Sequence, residues 1–256
     1  MIEESILHAA LDEARRQGAA YAEVRAETRR VETISARDTA VEQLTSDHDR
    51  GWGVRVAAGG GWGFAATAAA TPAAIRATVA QAVAIARAGA ARRHHPIDLA
   101  SMPAAQGTYR TPVQEDPFAV PLAARIDLLL AALAALRAAH PRVNVADGAI
   151  QLWHTVKQFV TTSGADLRQE IVESRAEITA YAVDASGYSY HRSYDNMAQA
   201  GWEFIRGLRL VEEAGRVGRE AGELVAAPWA PAGPTTAILG PTMVALLVHE
   251  SCGHPI

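Results

Sequence analysis

Cysteine is nearly absent: Cys252 is the single one in 256 residues. No internal disulfide can form, and a lone thiol fits a reducing compartment. Long apolar runs are missing too. The most apolar late stretch, residues 237–248, is interrupted by Gly240-Pro241 and falls short of the ~20 residues a spanning helix needs. The opening MIEESILHAALDEARR is acidic where an export signal would be basic, and its apolar residues are helically spaced. The expected compartment is the cytoplasm, with no membrane partner. Positive charge is not in excess either, since 24 Lys and Arg stand against 28 Asp and Glu. A net charge of −4 offers no general field for nucleic acid or an anionic surface. There is no phosphate loop and no Gly-x-Ser-x-Gly elbow. Gly61-x-Gly63-x-x-Ala66 formally fits a dinucleotide fingerprint, but Trp62 and Phe64 make it a strand and no acidic residue follows at the required distance.

What is present is a globular composition, 49% hydrophobic and with mean hydropathy near zero, long enough to bury a core. Residues 3–17 carry the three-and-four spacing of an amphipathic helix that stops at Gly18. YAEVRAET, RVETISA, AVEQLTS and GWGVRVA alternate apolar and polar, as half-buried antiparallel strands do. Gly59-Gly60-Gly61 turns into WGFAAT. Thr71-Pro72 opens a helix to about Ala88, with Thr71 as N-cap and Pro72 in the first turn. A long connection rich in turn residues follows, including His94 and His95. A second helix spans about 121–139 and ends at His140-Pro141, where the partial charge of histidine suits the helix dipole.

Strand patterns return from Val143 to about Tyr194, with turns near Ser163-Gly164 and Ser186-Gly187. Residues 203–224 read as helix, weakened by Gly207, Gly215 and Gly218. Strands in runs with paired helices predict an α+β fold, a mixed or antiparallel sheet packed with helices. The expected organisation is an amino-terminal α+β domain over 1–225, a linker over 226–234 rich in proline and glycine, and the start of another domain over 235–256. There TTAILG is expected as a short strand and Pro241 as the start of a helix.

That last helix carries the chemistry. His249, Glu250 and His254 form H-E-x-x-x-H. Zinc hydrolases commonly take two histidines from one helix and use the intervening glutamate as the base. On an ideal α-helix, residues five apart lie about 140° apart around the axis, so the two imidazoles could not share an ion. Gly253, which tolerates unusual dihedrals, and Pro255, which disfavours the α region for His254, are expected to widen or end the helix and swing His254 back.

LLVHESCGHPI, preceded by PAGPTTAILGP, resembles the metal-binding segment of the TldD/PmbA family of metallopeptidases. Family motifs of this kind read H-E-x-x-G-H, matched by His249, Glu250, Gly253 and His254. The stretch RGWGVRVAAGGGWGFAAT with the helix after it resembles that family's amino-terminal domain, so the likeness covers most of the chain. The resemblance implies a TldD-like subunit, since the PmbA-type partner generally lacks the motif. It further implies a zinc peptidase for unfolded or extended peptides, with His249 and His254 as ligands and Glu250 as base, working as a homodimer or with a PmbA-like subunit. In the family the third ligand is a cysteine far downstream. The expectation is therefore an amino-terminal portion of a longer protein, inactive alone.

Other features compete. Cys252, three residues after His249, is a conceivable ligand, but the matching family position is usually apolar and a packed thiol is the simpler reading. SGYSYHRSYD gathers Tyr188, Tyr190, His191 and Arg192, types favoured at interfaces, in what reads equally as an edge hairpin. His8, His48 and His154 carry no spacing that suggests a shared ion. The rival function is a non-catalytic protein-binding or regulatory module, because relatives have been described as modulators of DNA gyrase.

Overall fold

Two of the expected strand pairs are single long strands. In the computed structural model, which describes residues 4–90, 97 and 104–254, YAEVRAET and RVETISA run together as β1 (Tyr21–Arg37), and AVEQLTS and GWGVRVA as β2 (Ala40–Ala58). The polar stretch Thr28–Glu32 contains no glycine or proline to break β1, and the alternation keeps its phase across it. Ala22, Val24 and Ala26 face the same way as Ile34 and Ala36, and all five are buried. The polar interval marks a gap between two cores, not a turn.

Among the described residues the elements are α1 (Glu4–Arg16), β1, β2, β3 (Gly61–Thr67), α2 (Pro72–Ala90), β4 (Gln106–Arg110), α3 (Leu122–Ala139), β5 (Val143–Thr161), β6 (Asp166–Val183), β7 (Ser189–Ala198), α4 (Trp202–Gly207), α5 (Leu210–Leu224) and α6 (Pro241–Val248). The fold is α+β. One sheet runs β3-β2-β1-β5-β6, antiparallel throughout. The outer edge of β6 is then shared: its first residues pair with β4 in parallel, and Ser174–Val183 pair with β7 antiparallel. Strand β4 is a piece that the turn-rich connection hid; its five residues are all exposed, so no burial pattern announces it. His94 and His95 lie outside the described residues.

Helices α1, α2, α3 and α5 pack on one face of the sheet. At one end α1 and α2 cover Val24, Val54 and Val56; at the other α3 and α5 cover Ile34, Ile150 and Ile178. The first core shows why Gly61 and Gly63 are glycines. A Cβ on Gly63 would run into the backbone carbonyl of Ala82, and one on Gly61 into that of Ala86. The two glycines let α2 lie against β3, which accounts for the apparent dinucleotide pattern as helix–strand packing. Gly63→Ala should destabilise the fold by about 1–3 kcal/mol, the usual cost of forcing atoms into a packed core, read as a lower urea midpoint.

Between the two cores, Glu32 on β1 is buried. Arg125 from the first turn of α3 donates Nη1 to its Oε2 at 2.7 Å, and Arg30 pairs with its other oxygen. Burial alone raises the Glu32 carboxyl, but the hydrogen bonds and charges of Arg125 and Arg30 outweigh it and hold the group below the ordinary carboxylate range. The guanidinium of Arg30 also lies 4.3 Å from the Phe118 ring centre.

The expected helix over 203–224 is two helices. Arg209, with φ 52°, stands in the left-handed region between α4 and α5 and breaks the run. His140 stands at the C-cap of α3, and its Nδ1 accepts the Arg142 N–H at 3.2 Å in the turn that leads to β5. The chain divides into two compact units, Met1–Val225 and Ala226–Ile256. In the second, TTAILG is not a strand: residues 235–240 have no strand beside them among the described residues, and an isolated strand is not stable.

Candidate metal centre

Helix α6 begins as its sequence requires, with Pro241 in the first turn after Gly240 and with Val244 N–H bonded to Gly240 O at 3.0 Å. After Val248 the hydrogen bonding changes. His249–Gly253 form a π-turn, and His254 N–H reaches the carbonyl five residues back, His249 O, at 3.1 Å. Turns of this type are rare and recur at functional sites. The consequence is geometric. The two rings that an α-helix would separate stand with centres 4.6 Å apart at 79°.

The distortion does not arise as the sequence suggested. His254 stays in the α region at φ −76°, ψ −33°, held by its bond to His249, and Pro255 lies outside the described residues. Gly253 has no positive φ, and a Cβ on it would meet His249 Nδ1 at an ordinary 3.9 Å. The shift of one residue in the hydrogen-bond ladder does the widening.

Ligating atoms of His249, Glu250 and His254 all lie within 4.8 Å of one another, and all three side chains are exposed. Zinc–imidazole bonds are about 2.0–2.1 Å long, so a small closing of the rings brings both nitrogens onto one ion. Imidazole suits zinc and neighbouring transition metals, and the Glu250 carboxylate stands close by, where a hydrolytic base would act. The residues therefore fit a divalent metal. Cys252 is exposed and stands outside this group.

The remaining candidates are not gathered into one site. Tyr188 precedes β7 and packs edge-on to Tyr190 with ring centres 4.9 Å apart. His191 points to the other face of the strand, beside Tyr181, whereas Arg192 pairs with Glu220 of α5 at 2.7 Å. Period-two alternation splits the four across an edge strand. His8 lies 3.6 Å from Asp166 and His154 3.2 Å from Glu170, each with a separate partner.

One feature left no linear signal. On the face opposite α1, α2, α3 and α5, an open trough of about 1070 Å³ crosses β3, β2, β1, β5, β6 and β4. Gly51 and Gly53, two apart on β2, put no side chains on its floor. The residues meet only through cross-strand register.

Comparison with known proteins defines the class first. Residues 22–86 match the metallopeptidase domain 1 of the PmbA/TldA type, and residues 115–227 match the central domain of the same metallopeptidases. The chain belongs to the PmbA/TldD family. The two matched domains share one sheet, since β1 of the first pairs along its length with β5 of the second. Both matches end before Pro241, so the histidine group rests on its own geometry. A metalloprotease of Methanothermobacter thermautotrophicus is 26% identical over 245 residues, covering 91% of this chain and 50% of that protein.

Solved structures show the same fold. A proposed modulator of a DNA gyrase from Thermotoga maritima superposes with TM-score 0.68 at 15% identity, over 90% of this chain and 50% of its own. A second proposed gyrase modulator, from Bacteroides thetaiotaomicron, gives 0.64 at 13% identity over 88% and 50%. TldE from Thermococcus kodakarensis gives 0.60 at 14% over 86% and 47%. The chain spans about half the length of these relatives.

Proposed function

We propose that this chain is part of a TldD-like, zinc-dependent peptidase that cleaves unfolded or extended peptides. The observation that carries the reading is the π-turn, which sets two imidazoles five residues apart side by side with Glu250 between them. His249 and His254 would hold the metal. Zinc, when bound, supplies Lewis acidity that polarises a carbonyl and makes water more acidic. Glu250 takes the proton from the attacking water on a carboxylate oxygen and delivers it to the leaving amine. A third protein ligand, needed for a catalytic zinc, would come from further residues of the longer protein, so turnover belongs to the whole length.

An extended peptide suits this fold, because a sheet edge such as that of β7 can take it up by strand addition, reading backbone more than side chains. We place the active form in a dimer, of like subunits or with a PmbA-like one. The cytoplasm fits the lone cysteine, and no described helix is long and apolar enough to cross a membrane. The second reading, a non-catalytic module that binds a protein partner, draws on the gyrase-modulator description of two similar structures.

A peptidase assay on the full-length protein separates the two. Cleavage of an unstructured peptide should be abolished by a zinc chelator and restored by added zinc. Absence of cleavage with metal present, or cleavage indifferent to the chelator, contradicts the peptidase reading.

A further inference from the structure

We infer that the open edge of β2, Gln43–Gly51, takes up an extended peptide as an added antiparallel strand, with basic side chains of the peptide set beside Asp47 and Asp49. The choice of a peptide rests on the peptidase reading; the place and the charge rest on the sheet. Strand β2 pairs with β1 along nearly its whole length, but β3 covers its other side only from Trp52 to Ala58. Beyond Thr67 the chain leaves for α2, and among the described residues no strand takes the slot in line with β3. The stretch left open is longer than the ~5–6 residues of a typical strand. Its outward N–H and C=O groups form a template for another strand. It contains no proline or lysine, and its pairing with β1 keeps one register as far as Glu42, the extra residue of a bulge. Every side chain from Gln43 to Arg50 except Thr45 is exposed. The edge of β7 offers less, because its charges are engaged, Arg192 with Glu220 and Asp195 with Arg175.

The side chains choose between a peptide and a second copy of the chain. Asp47 and Asp49, opposite Val31 and Arg29 in the register, point away from the helices, whereas His48 and Arg50, in phase with buried Trp52 and Val54, point to the helix-covered face. Ion pairs nearby join Arg37 to Glu42 and Lys157 to Glu27, and neither aspartate takes part in one among the described residues. The two-fold pairing that would engage the whole stretch in two copies sets Asp47 directly against Asp47, and like charges directly opposite destabilise a strand pair. Sliding the copies one way relieves this only by shortening the pairing against the bulge at Glu42. Sliding them the other way sets Asp49 against Asp49 and meets β3. A peptide with lysine or arginine at alternate positions has no such conflict. Arg29 offsets part of the charge of Asp49, so Asp47, which faces Val31, is the stronger of the two contacts. On the same side of the sheet the trough opens beside Asp49 and Gly51, where glycine leaves room for side chains of the peptide.

The test is fluorescence anisotropy on the full-length protein carrying Glu250→Gln, which spares the peptides. The probes are labelled, unstructured peptides of equal length that are basic, neutral or acidic, and two basic peptides N-methylated at one or the other alternate set of residues. The basic peptide should bind about fivefold tighter than the neutral one, and less tightly as salt rises. N-methylation of one set should cost about tenfold or more and of the other set little, because only alternate N–H groups of an added strand face its neighbour. Asp47→Lys/Asp49→Lys should move the preference to the acidic peptide. Asp47→Asn/Asp49→Asn, a milder change at the same exposed positions, should level it and serves if the first variant does not fold. Three results would overturn the inference: equal affinity for the three peptides, N-methylation without effect in either set, or variants that alter the oligomeric state while peptide affinity stays fixed. Metal content and peptide cleavage are measured in parallel on the protein with Glu250 intact. Edge binding of the basic peptide by a protein that holds no metal and cleaves nothing condemns the peptidase reading and leaves the edge standing. Metal-dependent cleavage with equal affinity for the three peptides does the reverse.

Discussion

Glu250→Gln in the full-length protein should keep its metal and lose peptide turnover by about 10²–10⁴-fold, the usual contribution of a positioned acid–base group. The amide has the same shape as the carboxylate and cannot accept a proton. The two histidines are untouched, and the His254 N–H to His249 O bond that sets the π-turn is a backbone bond, indifferent to the side chain at position 250. Metal retention and catalysis therefore separate in this variant. A loss of turnover without loss of metal places the proton transfer on Glu250. A loss of both would make the side chain a ligand, and unchanged turnover would remove it from the chemistry.

Arg125→Ala should cost about 3–5 kcal/mol of stability, because it strips the principal partner from a buried carboxylate. Glu32 would be left with Arg30, whose guanidinium is also engaged over Phe118. The penalty comes mostly from an uncompensated buried charge, so Glu32→Leu combined with Arg125→Met should cost less than Arg125→Ala alone. The same pair sets an acid dependence. The Glu32 carboxyl is held below its unfolded value by Arg125 and Arg30 against the opposing effect of burial. Its contribution is thus present above the unfolded pKa and is lost as pH falls through the lower folded one. Urea midpoints between neutral and acid pH should fall less in Glu32→Gln than in the native protein. An Arg125→Ala protein with an unchanged midpoint would mean that the pair adds nothing.

Local signals in the chain carried the caps and the alternation. Thr71 accepts the Ala74 N–H at 3.2 Å, as an N-cap should, and Gly18, with φ 78°, follows the end of α1. What the chain concealed was decided at longer range. A polar interval in β1 looks like a break until the second core and Arg125 are present to bury Glu32. TTAILG has the composition of a strand, and composition cannot supply a neighbour to pair with. Arg209 breaks a helix that glycine content only weakened.

At the metal centre the donor types were readable, and so was the need for a distorted helix. The device was not, because a π-turn is a choice of backbone hydrogen bond that several sequences permit, and neither Gly253 nor the conformation of His254 carries it. The trough is the extreme case. Arg25, Gly53 and Phe159 are far apart in the chain and become neighbours only through the pairing of β1 with β2 and β5.

The most direct measurement is metal content per chain of the gently purified full-length protein and of its His249→Ala and His254→Ala forms. The account predicts close to one divalent ion in the native protein and almost none in either variant. Native-like metal in both variants, or none in the native protein, would contradict it.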